Sequence, residues 1–507
     1  MIRSFRDVSR RKIMKGGLAG TFAVVGAAAI AGCGETITVT KEVPVEVIKE
    51  VQVAGATVVK EVKVEVAGET VIKEVEVIKE VEVVKIVEAA PVPKGPRQEV
   101  ELWSGFDPKT HGQVGLVYDA IIDIFNAGNP DFEVKHVVQP WGQIIPKVLT
   151  SVAAGNPPDV FRNWYSTLGV TAAAGVVQTV EPFIKRDTGW DEADFLEGPM
   201  AQTYFKGKRM AVPLSGIVTL MYVNKDMAGE MGVSIPDNLP QNLEAMEEIG
   251  AEMYDIGDDG TINKIGFAPS MFTSGMTWAA VWGNEGVYDE ATNTFNANTA
   301  GMKQLLEWHH GYGERYGAEE LIAWKGTYGS GGFGRFTSDG PLYTNLVGMA
   351  GLSSWWFSDI GKQAPDQNYV FDKVAAPSAG SGYRTSDLNT NIYSIPTGAN
   401  SAEGGWAWAS FLTSPEQMRR KTIADAVPAI RKSLDTPDYH EASPVNAACM
   451  SKVFPNTWHL PSFGSYGTFR SNLTTLTESV MLGQKTIDEA LAEMTDAVQD
   501  DIEAKNA

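Results

Sequence analysis

From Ala23 through Leu102 the chain contains no Phe, Tyr or Trp, whereas all 13 tryptophans lie between Trp103 and Trp458. Aromatic side chains carry the largest apolar areas a core can bury, so these two stretches cannot fold by the same means. Only the second can build a sizeable interior. The first must be read as targeting, spacer or self-pairing sequence.

That front opens with SRRKIMK (Ser9 to Lys15), followed by the 17-residue apolar run GGLAGTFAVVGAAAIAG. A basic n-region, a short h-region and small residues ahead of a cut site make an export signal, too short and too rich in Gly and Ala for a stable span. The twin arginines resemble a Tat signal. Ile30-Ala31-Gly32-Cys33 resembles a lipobox, so residues 1–32 are expected to be removed and Cys33 to carry lipid. The protein is then expected outside the cytoplasm, anchored through lipid at the outer face of the cytoplasmic membrane.

Residues 33–96 read as a Val/Glu/Lys-rich stalk. VIKEV occurs at 47–51, 71–75 and 77–81, with VVKEV at 58–62 and VVKIV at 83–87. The alternation has a strand period, but Lys41 to Val87 lacks both aromatics and Leu. It is a solvated spacer, or strands that pair with copies of themselves, with the charges guarding against aggregation. Ala89 to Pro96 closes it as a Pro-rich linker.

The remainder is ordinary globular sequence within a chain of 507 residues and net charge -21. Acidic balance without a dense Lys/Arg patch argues against nucleic acid. Once Cys33 is lipidated, Cys449 is the one remaining thiol. It is expected to be a buried small hydrophobe. VELWSGFDP (100–108) reads as a strand, and Val117, Ile121, Ile124 and Phe125 as a helical face. FEVKHVV (132–138), QIIPKVLTSVAAG (143–155) and DVF (159–161) repeat the cycle. Strands alternating with helices of this length predict parallel βα units, whose ligands sit at the carboxyl ends of the strands. Trp406 to Leu412 and a segment from Ser414-Pro415 read as helices. Thr486 to Glu489 forms a capping box ahead of a stripe of Ile487, Leu491, Met494, Val498 and Ile502.

Several stretches together resemble the extracellular solute-binding proteins, type 1, of ABC importers, the group that includes maltose-binding protein. They are IIDIFNAGNPDFEVKHVVQPWG (121–142), LTSVAAGNPPDVFRNW (149–164), VPLSGIVTLMYVNKDM (212–227), NIYSIPTGANSAEGGWAWASFLTSPEQ (391–417) and VPAIRKS (427–433). The resemblance implies an α/β fold of two lobes joined by hinge strands. Residues 97–214 with 388–427 would form the first lobe, and 215–387 with 428–507 the second. The chain would cross near Pro213 to Tyr222, near Ser386 to Ile395 and near Asp425 to Ala429. A ligand that bridges both lobes binds the closed form more tightly and shifts the population toward it. A permease then reads the closed shape.

By motif position the resemblance implies a carbohydrate ligand, whose flat C–H faces are covered by aromatic rings while polar groups read the hydroxyls. The first-lobe candidates are Phe106, Trp141 and Trp164, with Asp107 and Asn163 as hydroxyl partners. The second-lobe candidates are Trp278, Trp282, Trp355, Tyr383 and Arg384. Within LSSWWFSD (352–359), Trp355 is expected to face the cleft and Trp356 to support it. Asp159 is expected to cap or turn.

No cofactor and no metal are expected. Gly329 to Gly334 matches G-x-G-x-x-G without the preceding strand. Asp255 to Gly260 lacks the ligands of a calcium loop. His309 and His310 diverge on a helix. The body is expected to be a monomer. Two other functions compete: a secreted carbohydrate-active enzyme using paired carboxylates, and a structural surface element built on the stalk. Binding of a non-sugar polar solute such as a glycerol phosphodiester, with Arg162 or Arg384 in the cleft, is a variant of the first reading.

Overall fold

The computed structural model describes residues 64–66, 69–71, 96–267, 269, 275–282, 286–329, 338–377, 384–458, 460 and 462–506. The signal segment, Cys33, most of the stalk, the Gly329-to-Gly334 match beyond Gly329, and Tyr383 lie outside them. In the stalk, Val64–Val66 and Glu69–Val71 pair as antiparallel strands with Val64 opposite Val71.

The body begins with β1 (Gln98–Ser104), a short α1 (Pro108–His111), α2 (Gln113–Gly128), β2 (Phe132–Val138), α3 (Ile144–Ala153), β3 (Val160–Trp164), α4 (Tyr165–Ala173) and β4 (Val212–Ile217). The alternating pattern read from residues 100–161 is present almost as drawn. Tyr118, Ile121, Ile122 and Phe125 turn inward from α2, whereas Val117 is half-buried and Ile124, expected on the same face, is exposed. Asp159 ties rather than binds: its carboxylate accepts from Glu101 N at 2.8 Å and from Ser401 N at 2.6 Å.

After β4 the chain crosses through the buried Val218 into β5 (Thr219–Asn224) and builds a second sheet. Its further elements are β6 (Asp255–Ile256), β7 (Ile262–Phe267), α5 (Gly275–Val281), α6 (Ala300–Tyr316), β8 (Val347–Ser353), α7 (Trp356–Gln363) and β9 (Tyr369–Lys373). The return runs through β10 (Ser386–Asp387) into β11 (Asn389–Ser394), then α8 (Ala402–Leu412) and α9 (Pro415–Asp425). A last strand, β12 (Thr457–Trp458), pairs in parallel with β10 before α10 (Tyr466–Met481) and α11 (Ile487–Asn506).

The first sheet has the order β2-β1-β3-β11-β4 and the second β6-β7-β8-β5-β9. In the first, β1 runs parallel to β2 and β3, and β11 is antiparallel to β3 and β4. The arrangement is two α/β lobes, as expected. Trp406 and Trp408 are enclosed in the first-lobe core, Trp406 stacking on Phe183 at 5.6 Å between centroids. On α11 the capping box is formed reciprocally between Thr486 and Glu489, and Leu491, Met494, Val498 and Ile502 are buried.

The third passage between lobes lies later in the chain than Asp425 to Ala429. Ala429, Ile430, Leu434 and Tyr439 still pack in the first-lobe core, and Val445, Ala448 and Cys449 are the next to join the second. Arg431 explains the delay. Its guanidinium donates to Asp194 Oδ2 at 2.8 Å and to Thr413 O at 2.7 Å and lies 3.9 Å from the Phe195 ring centre, holding this segment to the first lobe. Residues 428–442, expected in the second lobe, therefore pack with the first. Cys449 is fully buried, and burial pushes its thiol far above the ordinary range.

Candidate functional site

The carboxyl ends of β1, β2 and β3 and the amino end of β11 meet at one edge of the first sheet. Facing them across the crossing strands are the carboxyl ends of β7 and β8 and the amino end of β5. Side chains carried beyond these strand ends line the space between the lobes.

In the first lobe an aromatic cluster surrounds Arg162. Its guanidinium lies 4.6 Å from the ring centres of both Trp141 and Trp164 and 5.4 Å from that of Phe106. Strand alternation places Arg162 and Trp164 on the same face. Trp141 is half-buried and seated on Gly105, where a Cβ would fall within 2.5 Å of three carbons of the indole. Its N–H donates to His111 Nε2 at 2.9 Å, which fixes the tilt of the ring. Phe106 is only 5% exposed and stands edge-on beneath Trp141 at 4.9 Å, so it supports the platform instead of touching a ligand.

The two polar partners expected here have other work. Asn163, fully buried, is turned by the same alternation to the opposite face of β3, accepting from Trp164 N at 2.8 Å and donating to Thr171 Oγ1 at 3.2 Å. Asp107 is the N-cap of α1, accepting from Lys109 N at 2.9 Å and from Thr110 Oγ1 at 3.2 Å. The Lys109 backbone bond, with help from Thr110, holds its carboxyl below the ordinary range.

Below the cluster Lys421 and Asp425 form a buried ion pair, with Lys421 Nζ 4.8 Å from the Phe106 ring centre. Burial lowers the lysine and raises the aspartate from their ordinary values, each opposed by its partner.

In the second lobe Trp355 and Trp356 stack on each other at 5.0 Å with planes 23° apart. Trp356 opens α7 and is 4% exposed, while Trp355, its N-cap residue, is half-buried. The preceding Ser354 N donates to Val218 O at 2.8 Å, which fastens this loop to the first crossing strand. On the far end of α7, Lys362 Nζ donates to Thr110 O at 3.2 Å, a contact between the lobes.

Trp278 does not reach the cleft. It is fully enclosed in the second-lobe core, donating its N–H to Pro269 O and packing 4.8 Å from Trp308. Helical geometry turns it inward from α5, a direction that spacing alone did not reveal. Trp282 is half-buried against Trp308 at 5.7 Å, and Arg384 is half-buried ahead of β10. His309 is a core residue, bonding Leu305 O at 2.9 Å, and burial pushes its pKa down to about 4. Asp255 and Ile256 lie in β6, and the residues after them form a turn closed by Gly257 N to Thr261 O at 2.9 Å.

Sequence reasoning missed three groups on the returning hinge: Asp387, Asn389 and Asn391. Asp387 Oδ1 accepts from Thr277 Oγ1, which also contacts Thr219 Oγ1 at 2.8 Å. Asn391 Nδ2 donates to Ser215 Oγ at 2.8 Å, and its Oδ1 accepts from Arg162. The available signal was the alternation in Asp387-Leu-Asn-Thr-Asn391, a polar face on a strand whose other residues are buried.

The fold is similar to that of several solved binding proteins. CpMnBP1 with mannotriose bound is 18% identical, with a TM-score of 0.66 covering 79% of this chain and 100% of that one. The GacH receptor of Streptomyces glaucescens, solved unliganded and with acarbose, is 17% identical, with a TM-score of 0.62 over 80% of this chain and 100% of that one. Maltose-bound MalE3 of T. maritima is 16% identical, with a TM-score of 0.62 over 79% and 98%. At these identities the likeness shows a common fold. Residues 120–447 match the model of a family described as bacterial extracellular solute-binding protein, and the chain belongs to that family.

Proposed function

We propose that this protein is the substrate-binding lipoprotein of an ABC importer, capturing a carbohydrate between its lobes by hinge closure and delivering it to a membrane permease. The observation that carries this reading is the set of half-buried tryptophans at the cleft edges: Trp141 and Trp164 on the first lobe and Trp355 on the second. Each is backed by buried aromatic or cationic groups, which preorganises a flat apolar face. Mannotriose, acarbose and maltose in the similar structures support the same ligand class.

Arg162 supports a neutral ligand over an anionic one. Its guanidinium is covered by two indoles and donates to Asn391, so it serves as a pillar of the platform. The enzyme reading finds no support in the family, and no paired-carboxylate motif stands out in the sequence. The stalk, with lipid on Cys33, would hold the receptor near the permease. A Cys33→Ala variant is expected in the soluble exported fraction, and retention of that variant in the membrane fraction would refute the anchor.

The test of function is a thermal-shift and titration series with mannose- and glucose-based oligosaccharides, polyols and glycerol phosphodiesters, because a ligand selective for the native state raises its apparent stability. One-to-one oligosaccharide binding without product is the expected result. Hydrolysis would replace this reading with the enzyme, and a hit confined to phosphodiesters would replace the ligand class.

A further inference from the structure

The returning hinge strand carries unfilled acceptors at the seam of the lobes. Along Asp387 to Asn391, Leu388 and Thr390 are buried: Leu388 O accepts from Gln202 Nε2 at 2.6 Å, and Thr390 N donates to Gln202 Oε1 at 2.9 Å. Alternation therefore sets Asp387, Asn389 and Asn391 on the other face. That face begins at Thr277 of the second lobe and ends at Asn391, which stands opposite Trp164 in the strand register. It forms a polar strip between the two aromatic walls.

Asn391 is fully engaged by Arg162 and Ser215, but its neighbours are not. Asp387 Oδ2 accepts no side-chain hydrogen bond among the described residues, the carboxyl being held by Thr277 through Oδ1 and by its own backbone N–H. Asn389 Oδ1 is a buried acceptor without a partner among the described residues, which costs about 1 to 3 kcal/mol. Asp387 keeps a partial opening to solvent although α5, α4 and α10 close around it. The charged or titratable groups facing it are Tyr165 from α4 and Tyr466 and Arg470 from α10. Burial is the largest effect on its carboxyl and raises it above the ordinary range, with Thr277 and Arg470 opposing.

We propose that Asp387 and Asn389 are the hydroxyl-reading acceptors of the cleft floor, selecting a ligand that presents O–H donors, such as a neutral sugar, and disfavouring an anionic one. The inference rests on the carbohydrate-capture reading and adds the polar half of the site to its aromatic half. A carboxylate at this point repels a phosphate or carboxylate ligand while forming charge-assisted bonds to hydroxyls, the stronger class of hydrogen bond. Placing these acceptors in the hinge means that the ligand touches the strand about which the lobes close.

The test uses the mature protein and its Asp387→Asn and Asn389→Ala variants, titrated with maltotriose, mannotriose and a glycerol phosphodiester. Asp387→Asn keeps an oxygen for Thr277, so the local structure is preserved. Its affinity for the better oligosaccharide is expected to fall at least about tenfold, the ratio that 1.4 kcal/mol produces. Its Tm is expected to stay level or rise, because a charge whose burial is unfavourable has been removed. A purely structural role predicts the opposite, a lower Tm with unchanged affinity, and that result would overturn the inference. Should Asp387→Asn fail to fold, Asn389→Ala decides: a similar affinity loss supports the assignment, and wild-type affinity sinks it. Wild-type protein that binds neither oligosaccharide contradicts carbohydrate capture itself, whereas oligosaccharide binding that both variants retain refutes only the floor acceptors.

Discussion

Trp355 and Trp356 are neighbours in sequence with different surroundings. The half-buried Trp355 is the exposed face of a stacked pair, and Trp356, 4% exposed, is its backing. Trp355→Ala is expected to weaken oligosaccharide binding about tenfold or more with little change in Tm, as for an anchor at the centre of an interface. Trp356→Ala is expected to cost about 3 to 5 kcal/mol of stability, read by denaturant unfolding. Equal effects of the two on Tm would contradict this division. Gly105→Ala is expected to weaken binding while leaving most of the core intact, because the added Cβ meets the Trp141 indole at 2.3 Å and displaces the platform. Unchanged affinity would show that Trp141 takes no part. At this scale the sequence was only partly legible. Motif position in the family resemblance points to Trp141, Trp164 and Trp355, and all three are half-buried. Motif position could not distinguish Trp278, turned into the core, or Asn163, which strand alternation turns to the face opposite Arg162 and Trp164.

Among the elements, the strands and helices of the first lobe were the most legible, because their apolar periods and their Asn-Pro and Pro-Pro stops lie in the local sequence. The third passage was not legible, since it depends on a long-range contact between Arg431 and Asp194. That pair carries a pH signature. Burial pushes the Asp194 carboxyl up, but the bonds from Arg431 and Ser433 outweigh it and leave the group below its ordinary range. With the folded value depressed, its stabilisation is fully present above the unfolded carboxylate range and is lost as pH falls through the folded value. Asp194→Ala is expected to remove that acid-limb dependence and to destabilise at neutral pH by about 3 to 5 kcal/mol, because Arg431 is left buried without its carboxylate. Superimposable pH–Tm curves for wild type and variant would show that the pair contributes nothing to folding.

For the whole molecule, three features act together: sheets whose edges face each other, tryptophans on both lobes, and crossing strands that carry polar groups between them. A receptor that closes on its ligand needs a ligand that bonds both lobes at once, because the equilibrium shifts only by the difference between the ligand's affinities for the closed and open states. The two-lobed architecture was readable from the ordered family motifs, while the polar floor required the fold to bring residues 162, 277 and 387–391 together. The most direct measurement is calorimetric titration of the mature protein with mannose- and glucose-based oligosaccharides, with product analysis on the same samples. Saturable one-to-one binding with the oligosaccharide recovered intact is the expected result. Absence of binding across the series, or recovery of shortened sugars, would contradict carbohydrate capture by hinge closure.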